Sequence, residues 1–395
     1  MLLVINTDLY DPVPRGLCDL LIAGGRILSV RPAGEMPREA LPVFADSFRV
    51  VDAKGDMVIP GIFDRHVHFN GAGGEGGPAF RTPPLQLSSF VKAGVTSVVG
   101  LLGTDGTCRS LEELLMKARG LEEEGISTWI LTGSYALPSV TITGSVTRDL
   151  CLIDKVVGLK VALSDHRGSH PTVEELRRAA SDARLGGILS GKAGCVCVHM
   201  GGETSGLGPI LEALEGTEIP IAQFAPTHIA RNTRLVDQAA EFGRRGGLLD
   251  ITAASKGKQG SDLVTGAVVH RLLSEGVPPG NITLSSDGNG SMPTFDAKGE
   301  MTGMGIGPID AVLETLGELL RADDLPREAV IALGTSNVAD HLKLPRKGRL
   351  RPGCDGDLLV LDGDFRLRTT VAKGRLLMES GKVLVKGTFE TSEER

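Results

Sequence analysis

Long apolar runs, basic clusters and paired cysteines are all scarce in this chain of 395 residues. No stretch of about 18 apolar residues occurs, which is the length a membrane-spanning helix needs, so we expect no membrane contact. A net charge of −7 without a basic run argues against a nucleic-acid partner. The six cysteines lack the spacing of a metal ribbon. The short apolar run that opens the chain, at residues 1–5, is too short for a secretory signal. Both features favour a reducing cytoplasm.

Aromatic residues make up only 4% of the chain, whereas glycine is abundant at 53 residues. Both ends of the chain carry short apolar runs around glycine turns, in residues 19–30 and again in residues 356–387. These patterns are typical of β-hairpins. We therefore predict one small β-sandwich domain built from residues 1–57 and 346–395, with a larger domain of residues 58–345 inserted between its halves.

The inserted region alternates apolar runs with amphipathic helical stretches. The apolar runs are residues 56–68, 95–104, 127–135, 156–163, 194–200, 219–226, 248–254 and 282–286. Eight such units over about 290 residues predict an α/β fold, a (β/α)₈ TIM-like barrel. A doubly wound open sheet is the alternative, but it rarely needs eight units, and no dinucleotide-binding or phosphate-binding glycine motif is found between a run and a helix.

Two histidines, His66 and His68, end the first apolar run. Residues two apart on a strand point the same way, so both imidazoles would face one site, where they could share a metal ion. Taken alone, the pair could equally be two core histidines that satisfy each other. Four other runs also carry a metal-binding residue type at or near their ends, and these are Lys160, His199, His228 and Asp287. Barrel enzymes place their chemistry at this end of the strands.

Lys160 stands inside an apolar run, where an unpaired charge is costly. It could belong to a buried ion pair. Alternatively, a lysine with a lowered pKa could react with CO₂ to give a carbamate, an anion with two oxygens that can bridge two metals. Four imidazoles, one carbamate and one aspartate are a reasonable ligand set for two Zn²⁺ ions per chain, bridged by carbamylated Lys160 and a hydroxide.

With this set, the sequence resembles the amidohydrolase superfamily, in the subtype with a carbamylated lysine, and within it the isoaspartyl dipeptidases. The resemblance covers essentially the whole chain. Its specific motifs are His66–His68 with Gly73–Gly77, then Gly103–Gly106, Gly133–Tyr135, His166–Ser169, His228–Asn232 and Ser286–Ser291. The resemblance implies a cytoplasmic binuclear zinc metallopeptidase that assembles as a homo-oligomer, an octamer in this family, and acts on small dipeptides.

The resemblance also implies roles for the remaining motif residues. Glu75 would hold the α-ammonium of an isoaspartyl dipeptide, with Gly73 and Thr104 beside it. The carboxylates would go to Arg167, Arg231 and Ser291. Taken alone, either arginine would more readily be read as a surface ion pair.

Tyr135 would donate a hydrogen bond to the attacked carbonyl, although a half-buried core tyrosine is the simpler reading of that residue. Asp287 would carry the proton from the attacking hydroxide to the leaving amine, releasing aspartate and an amino acid. Other amide hydrolases of the superfamily are the nearest alternative, such as a dihydroorotase, a hydantoinase or an N-acyl-amino-acid deacylase. A non-catalytic scaffold on the same fold is a more remote one, since such proteins lose metal ligands.

Overall fold

The computed structural model describes residues 1–36, 49–253, 263–295 and 301–391. The remaining parts of the predicted domain ranges lie outside the described residues. The strands are β1 (Leu2–Asp11), β2 (Val13–Ala23), β3 (Arg26–Pro32), β4 (Arg49–Asp52), β5 (Met57–Pro60), β6 (Ile62–Val67), β7 (Val95–Gly100), β8 (Ser127–Gly133), β9 (Val156–Leu163), β10 (Cys195–Met200), β11 (Phe224–Thr227), β12 (Leu249–Thr252), β13 (Ile282–Ser285), β14 (Ser291–Phe295), β15 (Met301–Ile306), β16 (Leu358–Leu361), β17 (Leu367–Ala372), β18 (Arg375–Glu379) and β19 (Lys382–Val383).

The helices connect these strands and cover the parallel ones. They are α1 (Leu87–Lys92), α2 (Leu111–Glu124), α3 (Val146–Leu152), α4 (Val173–Ser190), α5 (Gly208–Leu214), α6 (Thr233–Arg244), α7 (Thr265–Ser274), α8 (Ala311–Ala322), α9 (Arg327–Leu333) and α10 (Ser336–His341). Among the described residues, no helix is both long and apolar enough to cross a membrane.

Strands from both ends of the chain pair in one mixed sheet. In the described residues its order is β19-β18-β17-β16-β5-β1-β2-β3, with β4 paired to β1. The two ends meet where Val58 of β5 lies opposite Val360 of β16. Apolar side chains of β1 to β5 and β16 to β18 pack into one shared cluster, which includes Leu20 and Leu358. The sheet therefore depends on residues that are some 300 positions apart in sequence.

Eight parallel strands, β6 to β13, form the barrel within the described residues, which confirms the predicted fold class. Strands β6 to β11 are hydrogen-bonded in chain order, and β12 pairs with β13. Strand β12 lies beside β11, and a parallel bridge between Val67 and Gly288 joins the end of β13 to β6. The barrel interior and the helices around it share one large hydrophobic core. As a result, the carboxyl ends of all eight strands open on the same side.

The first apolar run, 56–68, was predicted as a single strand, and that prediction is wrong. The run divides at Gly61: β5 belongs to the terminal sheet and β6 to the barrel. Gly61 is required because a Cβ there would lie 2.2 Å from the Thr96 hydroxyl oxygen. Similarly, in the run 219–226 the strand begins only at Phe224, because Ile221–Gln223 forms a 3₁₀ turn after Pro220.

Candidate active site

A cavity of about 530 Å³ opens at the carboxyl ends of the barrel strands. Its lining includes these residues predicted from sequence: His68, Gly73, Glu75, Thr104, Tyr135, Arg167, His199, His228, Arg231, Asp287 and Ser291. The two other predicted residues, His66 and Lys160, are almost completely buried: His66 contacts the lining residue Asp287, and Lys160 contacts His66. The structure therefore brings every residue of the predicted set to one place.

The deepest part of the site is a cluster of nitrogen and carboxylate groups. Lys160 Nζ lies 3.1 Å from His66 Nε2. The Oδ1 atom of Asp287 lies 3.4 Å from His66 Nε2 and 3.2 Å from His68 Nε2. The His228 ring is centred 5.2 Å from that of His66 and 4.5 Å from that of His199. Side chains from β6, β9, β10 and the segments that follow β6, β11 and β13 thus converge on one point.

Local backbone conformation helps to turn these side chains inward. His228 directly follows β11 and has a φ of 64°. Asp287 comes shortly after the end of β13 and has a φ of 53°. Left-handed conformations are uncommon in residues other than glycine, and they concentrate at functional sites. Asn289 is also left-handed, and its side-chain amide donates to the His68 carbonyl oxygen at 2.9 Å. The turn after β13 is therefore held against the end of β6.

Burial keeps most of the basic groups of this cluster uncharged. It lowers the pKa values of the His66, His199 and His228 imidazoles well below the ordinary value, and the neighbouring cations act in the same direction. Burial also lowers the pKa of the Lys160 amine. For Asp287, burial acts to raise the pKa, but the close contact with His68 and the electrostatic attraction of His228 and Lys160 outweigh it and leave the pKa at about 2. The cluster therefore combines three neutral imidazoles, those of His66, His199 and His228, with one carboxylate.

These donors fit a divalent metal centre. One ligand atom from each of His66, His68 and Asp287 lies within 4.8 Å of the others. In the described part of the chain, His66 Nδ1, His68 Nδ1 and Asp287 Oδ1 are buried without a hydrogen bond. Of these atoms, Asp287 Oδ1 lies beside the Nε2 atoms of both histidines, and metal ligation is one way to satisfy such an unpaired buried atom. Imidazole nitrogens and carboxylate oxygens are also the usual protein ligands of zinc.

The wall of the cavity carries a half-buried carboxylate, Glu75, in the loop after β6. Its Oε1 accepts hydrogen bonds from Thr104 Oγ1 at 3.0 Å and from Ser291 Oγ at 2.9 Å. Arg167 Nη1 lies 3.4 Å from the same oxygen. The second oxygen, Oε2, is buried and has no hydrogen-bond partner among the described residues. Glu75 therefore has one acceptor oxygen without a partner among the described residues.

Two arginines that line the cavity, Arg167 and Arg231, supply positive charge in addition to the negative charge of Glu75. Arg231 donates through Nε to the Met200 carbonyl oxygen at 2.9 Å, and among the described residues its terminal nitrogens form no hydrogen bond or ion pair. Arg167 is bound by Asp165 along one edge, which leaves Nη1 directed towards Glu75. Guanidinium groups bind carboxylates well because two parallel hydrogen bonds can form at once. The site can therefore accept one cation and at least one carboxylate.

Tyr135 places a hydroxyl group between the metal-ligand cluster and the arginines. The residue is buried, and its oxygen lies 2.7 Å from His199 Nδ1. Burial raises the pKa of the Tyr135 phenol far above the ordinary value, although the charge of Arg167 acts against this. The phenol therefore keeps its proton and acts as a hydrogen-bond donor.

Sequence reasoning missed two charged residues of the cavity, Arg109 and Asp165. Arg109 is buried and donates to the carbonyl oxygens of Asn70, Ala72 and Thr82. It thereby fixes both ends of the glycine-rich loop that carries Glu75. Asp165 contacts both Arg167 and His199. The one signal that could have found Asp165 is its place between the end of β9 and His166, which is a functional position in a barrel.

Comparisons with known proteins agree with this geometry. Residues 57–388 match the amidohydrolase family. Two solved structures of β-aspartyl dipeptidase from Fervidobacterium islandicum AW-1, one of them in complex with β-Asp-Leu dipeptide, are 39% and 37% identical to this chain. Their TM-scores are 0.88 and 0.87, and each comparison covers 100% of both chains.

Two other relatives are more distant. An adenine deaminase of Methanothrix thermoacetophila is 24% identical over 92% of this chain, which spans 59% of that protein. A dihydroorotase of Streptococcus pneumoniae is 31% identical over 130 residues, which are 32% of this chain and 28% of that protein. The barrel, the ligand cluster at its strand ends and the match over residues 57–388 lead to one conclusion. This chain belongs to the amidohydrolase family.

Proposed function

We propose that this protein is an isoaspartyl dipeptidase, which hydrolyses the β-aspartyl amide bond of isoaspartyl dipeptides to aspartate and an amino acid. The observation that carries the proposal is the unpartnered Oε2 of Glu75. It lies in a cavity that also presents arginines and a metal-ligand cluster. An isoaspartyl dipeptide has a free α-ammonium, two carboxylates and an amide, and this cavity offers a matching group for each. The similarity to the β-aspartyl dipeptidase structures supports the same assignment.

The substrate would lie in this cavity between Glu75 and the two arginines. Glu75 Oε2 would receive the α-ammonium, with Gly73 and Thr104 beside it. Arg167, Arg231 and Ser291 would bind the carboxylates. The loop that carries Gly73 folds back on itself at this point. Only glycine fits there, because a Cβ at Gly73 would lie 2.2 Å from the Phe80 carbonyl oxygen.

We also propose that two Zn²⁺ ions bind in the cluster. The residues that would hold them are His66, His68, Lys160, His199, His228 and Asp287, with Lys160 in its carbamylated form. The burial of Lys160 supports this form, because it favours the neutral amine that reacts with CO₂. When bound, the ions would make a water molecule acidic enough to attack at neutral pH and would polarise the amide carbonyl.

The chain itself supplies the proton transfers and part of the charge stabilisation. The pKa of Asp287 is depressed to about 2, so its side chain is an ionised carboxylate at neutral pH. In that form it can accept the proton of the attacking water and pass it to the leaving amine. Tyr135 can donate its hydroxyl proton in a hydrogen bond to the carbonyl oxygen as negative charge develops there. One such donor typically contributes about 2.7–4 kcal/mol to transition-state stabilisation.

We expect Tyr135→Phe to lower kcat about 100-fold while changing KM little, because the lost hydrogen bond forms mainly in the transition state. The measurement is steady-state hydrolysis of β-aspartyl-leucine. Tyr10→Phe is the matched control, since Tyr10 is the only other tyrosine and lies in β1 of the terminal sheet. A Tyr135→Phe enzyme with unchanged kcat would contradict the role given to the phenol.

Other amide hydrolases of the family remain the alternative, and the cavity wall distinguishes them. Dihydroorotases and hydantoinases act on cyclic substrates, and a cyclic ureide offers no ammonium to Glu75. Such a substrate would leave Oε2 buried and unpaired, which is unfavourable. A non-catalytic scaffold is less favoured, because all six ligand positions are filled.

The test is leucine release from β-aspartyl-leucine by the zinc-supplied protein, with α-aspartyl-leucine and dihydroorotate assayed alongside. We expect turnover of the β-linked dipeptide alone. Turnover of dihydroorotate instead, with zinc bound, would show that the protein is an amide hydrolase of this family but not a dipeptidase.

We further propose that the protein is a cytoplasmic homo-oligomer, an octamer. All six cysteines lie in described regions and are unpaired, which supports a reducing compartment. Leu152 of α3 and Leu185, Ile188 and Leu189 of α4 are about half or more exposed, which supports contact with a second copy. Light scattering after size exclusion would test the oligomeric state, and a monomer would contradict it.

A further inference from the structure

We propose that Asp165 is a positioning residue that holds Arg167 and His199 in place together. It thereby couples the carboxylate-binding wall of the cavity to the metal-ligand cluster. The half of this inference that concerns Arg167 rests on the proposed function, whereas the half that concerns His199 needs only the metal cluster.

The contact with Arg167 is a two-point ion pair. Arg167 Nε donates to Asp165 Oδ1 at 2.9 Å, and Nη2 donates to Oδ2 at 2.8 Å. The backbone N–H of Arg167 also donates to Oδ1, at 2.9 Å. A bidentate pair fixes the plane of the guanidinium as well as its position. Asp165 therefore sets the direction in which Nη1 of Arg167 points, towards Glu75.

The contact with His199 fixes which ring nitrogen carries the proton. Nε2 of His199 lies 2.9 Å from Asp165 Oδ2, and a carboxylate oxygen can only accept a hydrogen bond. The neutral imidazole has one N–H, so this proton is on Nε2 and the lone pair is on Nδ1. Tyr135 Oη lies 2.7 Å from Nδ1 and donates to it. Nδ1 is therefore the His199 atom whose lone pair could ligate a metal, and a metal bound there would replace the Tyr135 hydrogen bond and leave the phenol proton for the substrate carbonyl.

The hydrogen bonds to Arg167 and His199 occupy both carboxylate oxygens of Asp165. Its side chain is only 4% exposed, and both of its oxygens are already engaged. Carboxylates that orient a metal-ligating imidazole in this manner typically change metal affinity 10- to 100-fold when they are mutated. Because Oδ2 accepts from both Arg167 and His199, displacement of one partner should disturb the other.

We test this with Asp165→Asn, which preserves the shape but leaves a single acceptor oxygen and no charge. We expect zinc affinity, measured by competition with a chelator, to fall about 10- to 100-fold. We also expect KM for β-aspartyl-leucine to rise more than kcat falls. Arg167→Met should raise KM as well, but it should leave zinc affinity within about threefold of the original protein, because the Asp165–His199 bond remains.

Glu203→Gln is the matched control, because Glu203 pairs with His170 and contacts neither Arg167 nor His199. Zinc affinity unchanged in a folded Asp165→Asn protein would overturn the proposal. If that variant fails to fold, a crystal structure of the zinc-loaded original protein decides the question. Ligation through His199 Nδ1, with Nε2 still on Asp165, supports the proposal, and ligation through Nε2 overturns it. The zinc titration needs no substrate, so failure of the dipeptidase assay would not affect it.

Discussion

Asp287→Asn is expected to lower kcat/KM for β-aspartyl-leucine by about four orders of magnitude, at the upper end of what general acid–base groups contribute. The substitution removes the group that accepts the proton of the attacking water and returns it to the leaving amine. It also removes the carboxylate charge next to His66 and His68, where Oδ1 lies 3.4 and 3.2 Å from their Nε2 atoms. Both losses act on the same step, so the effect should be larger than for any residue of the cavity wall.

The fold should tolerate this change. Asparagine has the same shape as aspartate and accepts a left-handed backbone, which residue 287 adopts with φ of 53°. We therefore expect a melting temperature close to that of the original protein, measured alongside the kinetics. Asp340→Asn serves as a control, because Asp340 pairs with Arg349 away from the cavity. An Asp287→Asn enzyme that retained more than a tenth of the original kcat/KM would refute the proton-transfer role.

The positions of the candidate site residues were predictable because they follow from strand geometry. His66, His199, His228 and Asp287 stand at or beside the ends of apolar runs, and parallel barrel strands present those ends on one side. Lys160 was predictable for a different reason, since a charged residue in a fully buried run requires an explanation. None of these inferences needed knowledge of a contact between distant parts of the chain.

Features that depend on such contacts were not predictable. The break at Gly61 arises because residues 57–60 pair with β16, some 300 positions later in the chain. Asp165 acquires its place only when β10 brings His199 beside it, and Arg109 only when the loop of residues 70–82 folds over its guanidinium. In each case the local sequence is compatible with several partners. Tertiary packing selects one of them.

Glu75→Gln is expected to lower kcat/KM for β-aspartyl-leucine about a thousandfold, equivalent to about 4 kcal/mol. Oε2 of Glu75 is buried and has no partner in the described residues, so its only proposed counterpart is the substrate ammonium. Glutamine preserves the hydrogen bonds from Thr104 and Ser291 if its carbonyl oxygen takes the Oε1 position. In that orientation it presents an NH₂ group to the ammonium, which replaces attraction by repulsion.

A substrate without the ammonium separates this effect from damage to the loop. The original protein should prefer β-aspartyl-leucine over N-succinyl-leucine, which lacks only the α-amino group, by about the same thousandfold factor. Glu75→Gln should nearly abolish this preference, because the succinyl compound has no ammonium with which Glu75 could pair. Glu241→Gln on the exposed face of α6 should change neither rate. Equal losses on both substrates would show instead that Glu75 acts by holding its loop, and the ammonium assignment would then be wrong.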